Sequence, residues 1–320
     1  MVFNIKILSV NLNPFVKTYM HHALPISAIT EMNKDNDLFV INNFIQVRSQ
    51  DNNPLYLGYF INYFEKWFCI HSQFFGGNIT YDNEIDAVPF FQKLIDSNWY
   101  SYIILNLKYI PYRWCYLKED FFHEILLHGY DESNFYVLGY CDDGKYDTIK
   151  VTYEDFRKAF IERSLVVALR KNPDYEPKLD IRVNLELLTD YLESIDTAQK
   201  YRLFLTDARE DFDWGISAFY KLSENVSNTQ IQQWDFFYQH KRLMSARVDS
   251  FSQLTKVDDL QSHFYKLEAE ALAIKNLYLK FTISPNLKTA DRISDKTISL
   301  LKTEKDLLID FIGRIKTVIQ

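Results

Sequence analysis

The chain has 320 residues, with 36 Lys and Arg against 43 Asp and Glu, a net charge of −7. Apolar residues make up 47% and charged residues 25%, which suits a soluble globular protein and leaves little room for extensive disorder. The acidic balance argues against a nucleic-acid footprint, which needs clustered Lys and Arg, and eight glycines with eight prolines argue against glycine-rich phosphate loops and low-complexity arrays. Residues Met1 to Pro14 lack the apolar run of a signal peptide, and no stretch reaches the roughly 18 apolar residues of a membrane span. Cys69, Cys115 and Cys141 are odd in number and widely spaced, so neither a disulfide framework nor a zinc pattern is expected. A reduced, cytoplasmic setting follows as the expectation.

Aromatic residues are abundant: 25 Phe, 22 Tyr and 5 Trp. Residues 1–178 hold 35 of them, and residues 179–320 hold 17. The break falls at Asn172-Pro-Asp-Tyr-Glu-Pro-Lys178, where two prolines oppose helix and favour an extended linker. Two domains are expected, an α+β domain over 1–178 and a helical domain over 179–320.

In chain order, Tyr19–Glu31 is expected as a helix, with Ala23, Ile26 and Ile29 at helical spacing and Pro25 in or near the first turns. Phe39–Val47 reads as a strand. Tyr56, Tyr59, Phe60, Tyr63, Phe64, Trp67 and Phe68 crowd one helix-length stretch. They suit core plus amphipathic surface, or an aromatic cleft for an acyl or peptidyl chain. Ile85–Asp96 is expected as a helix and Tyr100–Ile110 as a strand. Phe121–Gly129, Phe135–Tyr140 and Asp147–Val151 follow as strands, joined by turn chemistry at Asp131-Glu-Ser-Asn134 and Asp142-Asp-Gly144. Tyr153–Arg163 closes as a helix and Leu165–Leu169 as a strand. Beyond the linker, helices are expected near Asn184–Ser194, Trp214–Ser223, Gln230–Leu254, Asp259–Phe281 and Ser294–Ile319.

His123-Glu-Ile-Leu-Leu-His128 is one residue too long for a zincin motif. Five residues of helix turn about 140° and an odd strand offset reverses the face, so the two rings diverge and no metal site is expected. The acidic pairs Glu210-Asp211, Asp142-Asp143 and Asp258-Asp259 suit turns and solvated helix starts, and His21-His22 suits a polar first turn.

The run Phe122-His-Glu-Ile-Leu-Leu-His-Gly-Tyr-Asp131, with Asn134-Phe-Tyr-Val-Leu-Gly-Tyr140 and Gly144-Lys-Tyr146, resembles the histidine-bearing hairpin of papain-like cysteine peptidases and acyltransferases. The likeness is greatest to the butirosin biosynthesis protein H N-terminal family and the double-glycine leader peptidases. Lys108-Tyr-Ile-Pro-Tyr-Arg113 is similar to the loop feeding that strand, and Asp235–Met244 with Arg247 to a helical extension in such proteins. The resemblance implies a papain-like fold with His123 as the catalytic base. It also implies transfer of an acyl or peptidyl group from a carrier-protein thioester to a small-molecule amine, or peptide cleavage, in a natural-product pathway. No cofactor is implied, and neither nucleic acid nor membrane is expected as a partner.

Such a site needs a cysteine opening the first long helix, a histidine on a distant strand, and an acid or amide on the next strand to orient the ring. Here the chain departs from the pattern. The nucleophile slot falls within Thr18–Ala23, where no cysteine occurs, and Thr18, Tyr19 or Ala23 could fill it. The orienting position falls near Gly139, which has no side chain to do that work. Four readings stay open. The chain is a silent homologue, or a cysteine-to-alanine form of an active one at Ala23. Cys69 or Cys141 substitutes. Thr18 is the nucleophile. Or the likeness is coincidental and His123 is structural.

Overall fold

The structure is a computed structural model describing residues 5–30, 37–61, 63–75, 86–160, 164–197 and 212–319. Glu31, Ile85, Arg163 and the pair Glu210-Asp211, named in the expectations above, lie outside the described residues. In chain order the first elements are β1 (Lys6–Ile7), α1 (Met20–Ile29), α2 (Leu38–Asn43), β2 (Val47–Gln50), β3 (Tyr56–Tyr59), β4 (Ile70–Phe74), α3 (Ala87–Asp96) and β5 (Tyr100–Asn106). Next come β6 (Phe122–Tyr130), β7 (Asn134–Tyr140), β8 (Tyr146–Thr152), α4 (Tyr153–Ala159), β9 (Val166–Lys171) and α5 (Ile181–Glu193). The chain continues through β10 (Phe212–Trp214), α6 (Gly215–Glu224), α7 (Ile231–Phe251), α8 (Asp258–Ile283) and α9 (Leu287–Ile319).

These elements form an α+β chain with antiparallel sheets and a helical C-terminal region, divided into two compact units. The first unit comprises Met1–Asn36 and Tyr63–Glu176, and the second Asp37–Asn62 and Pro177–Gln320. The C-terminal boundary falls in the proline-flanked linker. The segment 37–62, however, belongs with the helices rather than with the first 178 residues. The physical reason is Arg247 of α7, whose buried guanidinium donates to the carbonyls of Ile41 and Phe44. Those carbonyls lie at the C-terminal end of α2, where a helix runs out of its own N–H donors. The same capping explains why Phe39–Val47 is not one strand. It forms the short helix α2 and then enters β2, because a short apolar run fits either state until its carbonyls find partners.

In the first unit, alternation sets the sheet. Its strands run β4-β9-β5-β6-β7-β8, with β1 added to β6, all antiparallel. Ile103, Leu105, Ile125, Leu127, Val137, Ile149 and Val151 stand two apart along their strands and pack with Val88, Phe91 and Ile95 of α3 and Phe156 of α4. Helix α1 also packs on β5, β6, β7 and β9 but adds nothing to that cluster, so it covers the other face. The β6–β7 connection is an Asx-type turn in which Asp131 Oδ1 accepts from the N–H groups of Ser133 and Asn134. The β7–β8 turn uses Gly144 at φ +76°.

In the second unit, β10, β2 and β3 make a small antiparallel sheet beside the helices. Tyr56–Phe68 is therefore not a helix. Its first four residues pair with β2, and Phe64–Lys66, in the other unit, is a single 3-10 turn. In α8, Leu260, Phe264, Leu267, Ala271, Ile274, Tyr278 and Phe281 are buried, a stripe in alternating steps of four and three. That spacing keeps one face turned to α7 and α9, against which α8 packs. No helix among the described residues is long and apolar enough to cross a membrane.

Candidate functional site

The connection from β5 to β6 places His123. Asn106 ends β5, and its side-chain oxygen accepts from the N–H groups of Lys108 and Phe121, closing the loop on both sides. His123 is then the second residue of β6, opposite Leu105 of β5. Its ring stacks on Phe121 at 5.5 Å between centroids, and Phe121 lies against Trp114 at 5.2 Å.

His123 does not wait for an acid on the next strand. Its Nδ1 lies 2.7 Å from Oε2 of Glu124, the very next residue. A carboxylate only accepts, so Nδ1–H donates and Nε2 carries the basic lone pair. The hydrogen bond to Glu124 raises the His123 pKa, against partial desolvation. Burial alone would raise Glu124, but the bond and charge of His123, with further bonds from a backbone N–H and from Tyr102, together outweigh it and hold the carboxyl at about 2. Tyr102 of β5 also bonds to Glu124, and burial together with that carboxylate keeps the Tyr102 hydroxyl protonated. The pair stays within reach of solvent, with side-chain exposures of 38% and 22%.

Helix α1 brings a second group of side chains to this pair. Tyr19 is its N-cap and offers no side-chain cap, while its carbonyl accepts from the N–H groups of His22 and Ala23. Two tyrosines anchor the helix to the sheet. Tyr140 Oη donates to the Lys17 carbonyl at 2.7 Å, and Tyr146 Oη meets Ser27 Oγ at 3.0 Å. Pro25 is the sixth residue of α1, past the first turn, so the His21 carbonyl lacks its helical donor. The His21 ring lies 4.2 Å from that of His22. Burial lowers the His21 pKa, with Glu124 opposing and His123 reinforcing, so His21 stands within electrostatic reach of the pair. Burial lowers His22 further.

The residues of the expected triad fall as follows. Thr18 lies two residues ahead of α1 and is half-buried. Ala23 is fully buried inside the helix. Met20 and His21 occupy the first two helical positions. Gly139 is the last residue but one of β7. A Cβ there would stand no more than 3.0 Å from both Arg113 Nη2 and Met20 Cε, so the absent side chain makes room for a guanidinium. None of the cysteines offers a ready thiolate. Burial pushes up the thiols of Cys69, Cys115 and Cys141.

His128 is structural. Its Nδ1 donates to the Leu8 carbonyl at 3.1 Å, so Nε2 accepts from Thr148 Oγ1, and burial lowers its pKa. Among the described residues no group of three or more His, Cys, Asp or Glu is placed to hold a metal ion. Of the acidic pairs, Asp143 binds Lys145, and Asp259 opens α8 bound to Arg314.

Sequence reasoning gave Glu124 and Tyr102 no role, read His21 as part of a polar first turn, and named Arg113 only as the end of a loop. Glu124 was within view, but adjacent strand residues ordinarily point to opposite faces, which hides such a pair. His123, one residue in from the end of its strand, nonetheless meets Glu124. Comparison with known protein families and with curated proteins finds no match to this chain.

Proposed function

We propose that the first unit is a papain-like scaffold on which His123 and Glu124 serve as a general-base pair. It transfers an acyl or peptidyl group from a carrier-protein thioester to an amine without a cysteine intermediate. The observation that carries the reading is the 2.7 Å contact between His123 Nδ1 and Glu124 Oε2, with Nε2 left basic, beside His21 at the start of α1. The substrate class rests on the sequence resemblance. In the step, Nε2 takes the proton of the attacking amine as its nitrogen bonds to the thioester carbonyl. The C–S bond then breaks, and the imidazolium returns the proton to the leaving thiolate. Glu124 holds the ring and balances its charge. A cytoplasmic setting belongs to the same reading, in keeping with three free cysteines.

The test is turnover of acyl-pantetheine thioesters with amine acceptors. His123→Ala is expected to lower the rate about 10²- to 10⁴-fold with folding intact. Thr18→Ala is expected to leave it nearly unchanged, whereas a comparable loss would make Thr18 the nucleophile. Full activity in His123→Ala would refute the reading.

A second reading, a catalytically inactive binding or scaffold protein on the same fold, is favoured by the fully buried Ala23 and the three pushed-up thiols. It expects no turnover by folded wild-type protein and no loss of pathway output in His123→Ala.

A further inference from the structure

Arg113 is the one charged side chain of this site whose needs are unmet. It is 6% exposed, and its Nε and Nη2 are buried with no hydrogen-bond partner among the described residues. No carboxylate among them stands within ion-pair distance of it. Burial lowers its pKa, outweighing the charge of Asp142, which acts on it from beyond ion-pair distance.

The identity of the two open atoms matters. Nε–H and the adjacent Nη2–H form the side-on fork that takes two oxygens of one carboxylate or phosphate. The same chain shows this fork filled elsewhere. Arg157 donates from Nε and Nη2 to the two oxygens of Asp86 at 2.9 and 2.6 Å. Arg247 fills its own fork with the Ile41 carbonyl at 3.0 and 2.7 Å. Arg48 and Arg170 also have orphaned nitrogens, but each guanidinium lies over an aromatic face, Phe212 at 4.3 Å and Trp99 at 4.4 Å, and neither residue is nine-tenths buried. Arg113 has neither oxygen nor ring.

Its position gives the open fork a purpose. The guanidinium sits in the space that Gly139 leaves empty, with the side chain of Met20, the first residue of α1, beside it. Helix α1 brings its positive end there without a side-chain cap. Arg113 is also close enough to His123 to depress its pKa. A cation, a helix N-terminus and a protonatable imidazole in one place concentrate positive charge, opposed by Glu124 beside His123 and, from beyond ion-pair distance, by Asp142 on Arg113. Met20, with three rotatable bonds, is the adaptable part of the wall.

We propose that Arg113, seated against Gly139 at the N-terminus of α1, is a binding site for a two-oxygen anionic group of the substrate, a carboxylate or a phosphodiester. The inference deepens the function proposed above and rests on the same site being the functional one. A carboxylate would belong to the acyl or amine substrate, and a phosphodiester to the link between the carrier and its pantetheine arm. Gly139 is then the seat of the arginine rather than the remnant of an acid.

Propionate and dimethyl phosphate serve as probes, titrated into the full chain by calorimetry at constant ionic strength against chloride. One of them is expected to saturate, and which one does so identifies the source of the anion. Arg113→Lys keeps the charge but loses the fork, and is expected to weaken binding at least about tenfold. His123→Ala removes a neighbouring charge but keeps the fork, and is expected to lose turnover while weakening binding less than Arg113→Lys does. Turnover without anion binding would leave the catalytic reading standing and sink this one, and binding without turnover would do the reverse. If Arg113→Lys fails to fold, a crystal structure of wild-type protein with the saturating probe decides. Oxygens at hydrogen-bond distance from Nε and Nη2 support the site, and density only elsewhere overturns it. Absence of saturation by both probes, or wild-type affinity in Arg113→Lys, also overturns it.

Discussion

The two units differ in how they treat their most deeply buried charge. Among the described residues of the second unit, Lys241, Arg247 and Glu304, each at most 1% exposed, all find partners. Lys241 donates to both oxygens of Glu304 at 2.8 and 2.6 Å and to Tyr191 Oη at 3.1 Å, and lies over the ring of Phe219 at 4.2 Å. Tyr191 Oη donates onward to Glu304, and His240 donates from Nε2 to the Ile45 carbonyl, leaving Nδ1 toward Lys241. Arg247, held down to about 9 by burial, spends its donors on Ile41, Phe44, Asn184 and Met244. In the first unit, His123 and Glu124 stay partly open to solvent and Arg113 keeps two donors unspent. Met charges hold a core in one register, whereas unmet ones are available for a ligand or a proton.

The largest test of this contrast breaks the second unit. Glu304→Leu strands Lys241 in an apolar interior and is expected to cost about 3–5 kcal/mol in urea unfolding, with Lys241→Met/Glu304→Leu recovering most of it. A single variant as stable as wild type would show that the pair is not held as described. Next, Arg247→Met leaves the Ile41 and Phe44 carbonyls and the Asn184 side chain without their donor, at a cost of roughly 3 kcal/mol in the same measurement. By contrast, Arg113→Met removes a charge that has no partner to abandon, so its stability is expected within about 1 kcal/mol of wild type, on either side. If the two arginine variants lose the same stability, the distinction between the units fails.

The smallest effect concerns protonation. His123 is raised from its ordinary 6.5, so its contribution is complete below that value and fades as pH rises through the folded value. Glu124 is depressed from 4.5 to about 2, so its contribution is complete above 4.5 and is lost as pH falls toward 2. The pair is therefore strongest between these ordinary values, and solvent exposure keeps its stability effect small. Glu124→Gln is expected to lower the His123 titration midpoint, followed by imidazole NMR. An unchanged midpoint would rule out the pairing.

Much of this architecture can be read from local pattern. The strands around His123, the Asx turn at Asp131 and the stripe of α8 follow from periods of two and of four and three, and from turn residues that satisfy their own backbone. Misreadings occur where the partner lies far along the chain. Phe39–Val47 becomes helix and strand because Arg247 caps Ile41 and Phe44 from about two hundred residues away. Gly139 reads as a lost acid until the Arg113 guanidinium is found filling its place.

Sequence alone determines the acidic balance, the concentration of aromatics before residue 178, most element types, and the absence of a cysteine ahead of Cys69. These are local or compositional properties, carried by each residue and its near neighbours. Only the tertiary structure decides which charges are met. It pairs His123 with its neighbour Glu124, seats Arg113 against Gly139, and encloses Lys241 with Glu304. The energy of a charge depends on what surrounds it in space, and folding alone sets those surroundings.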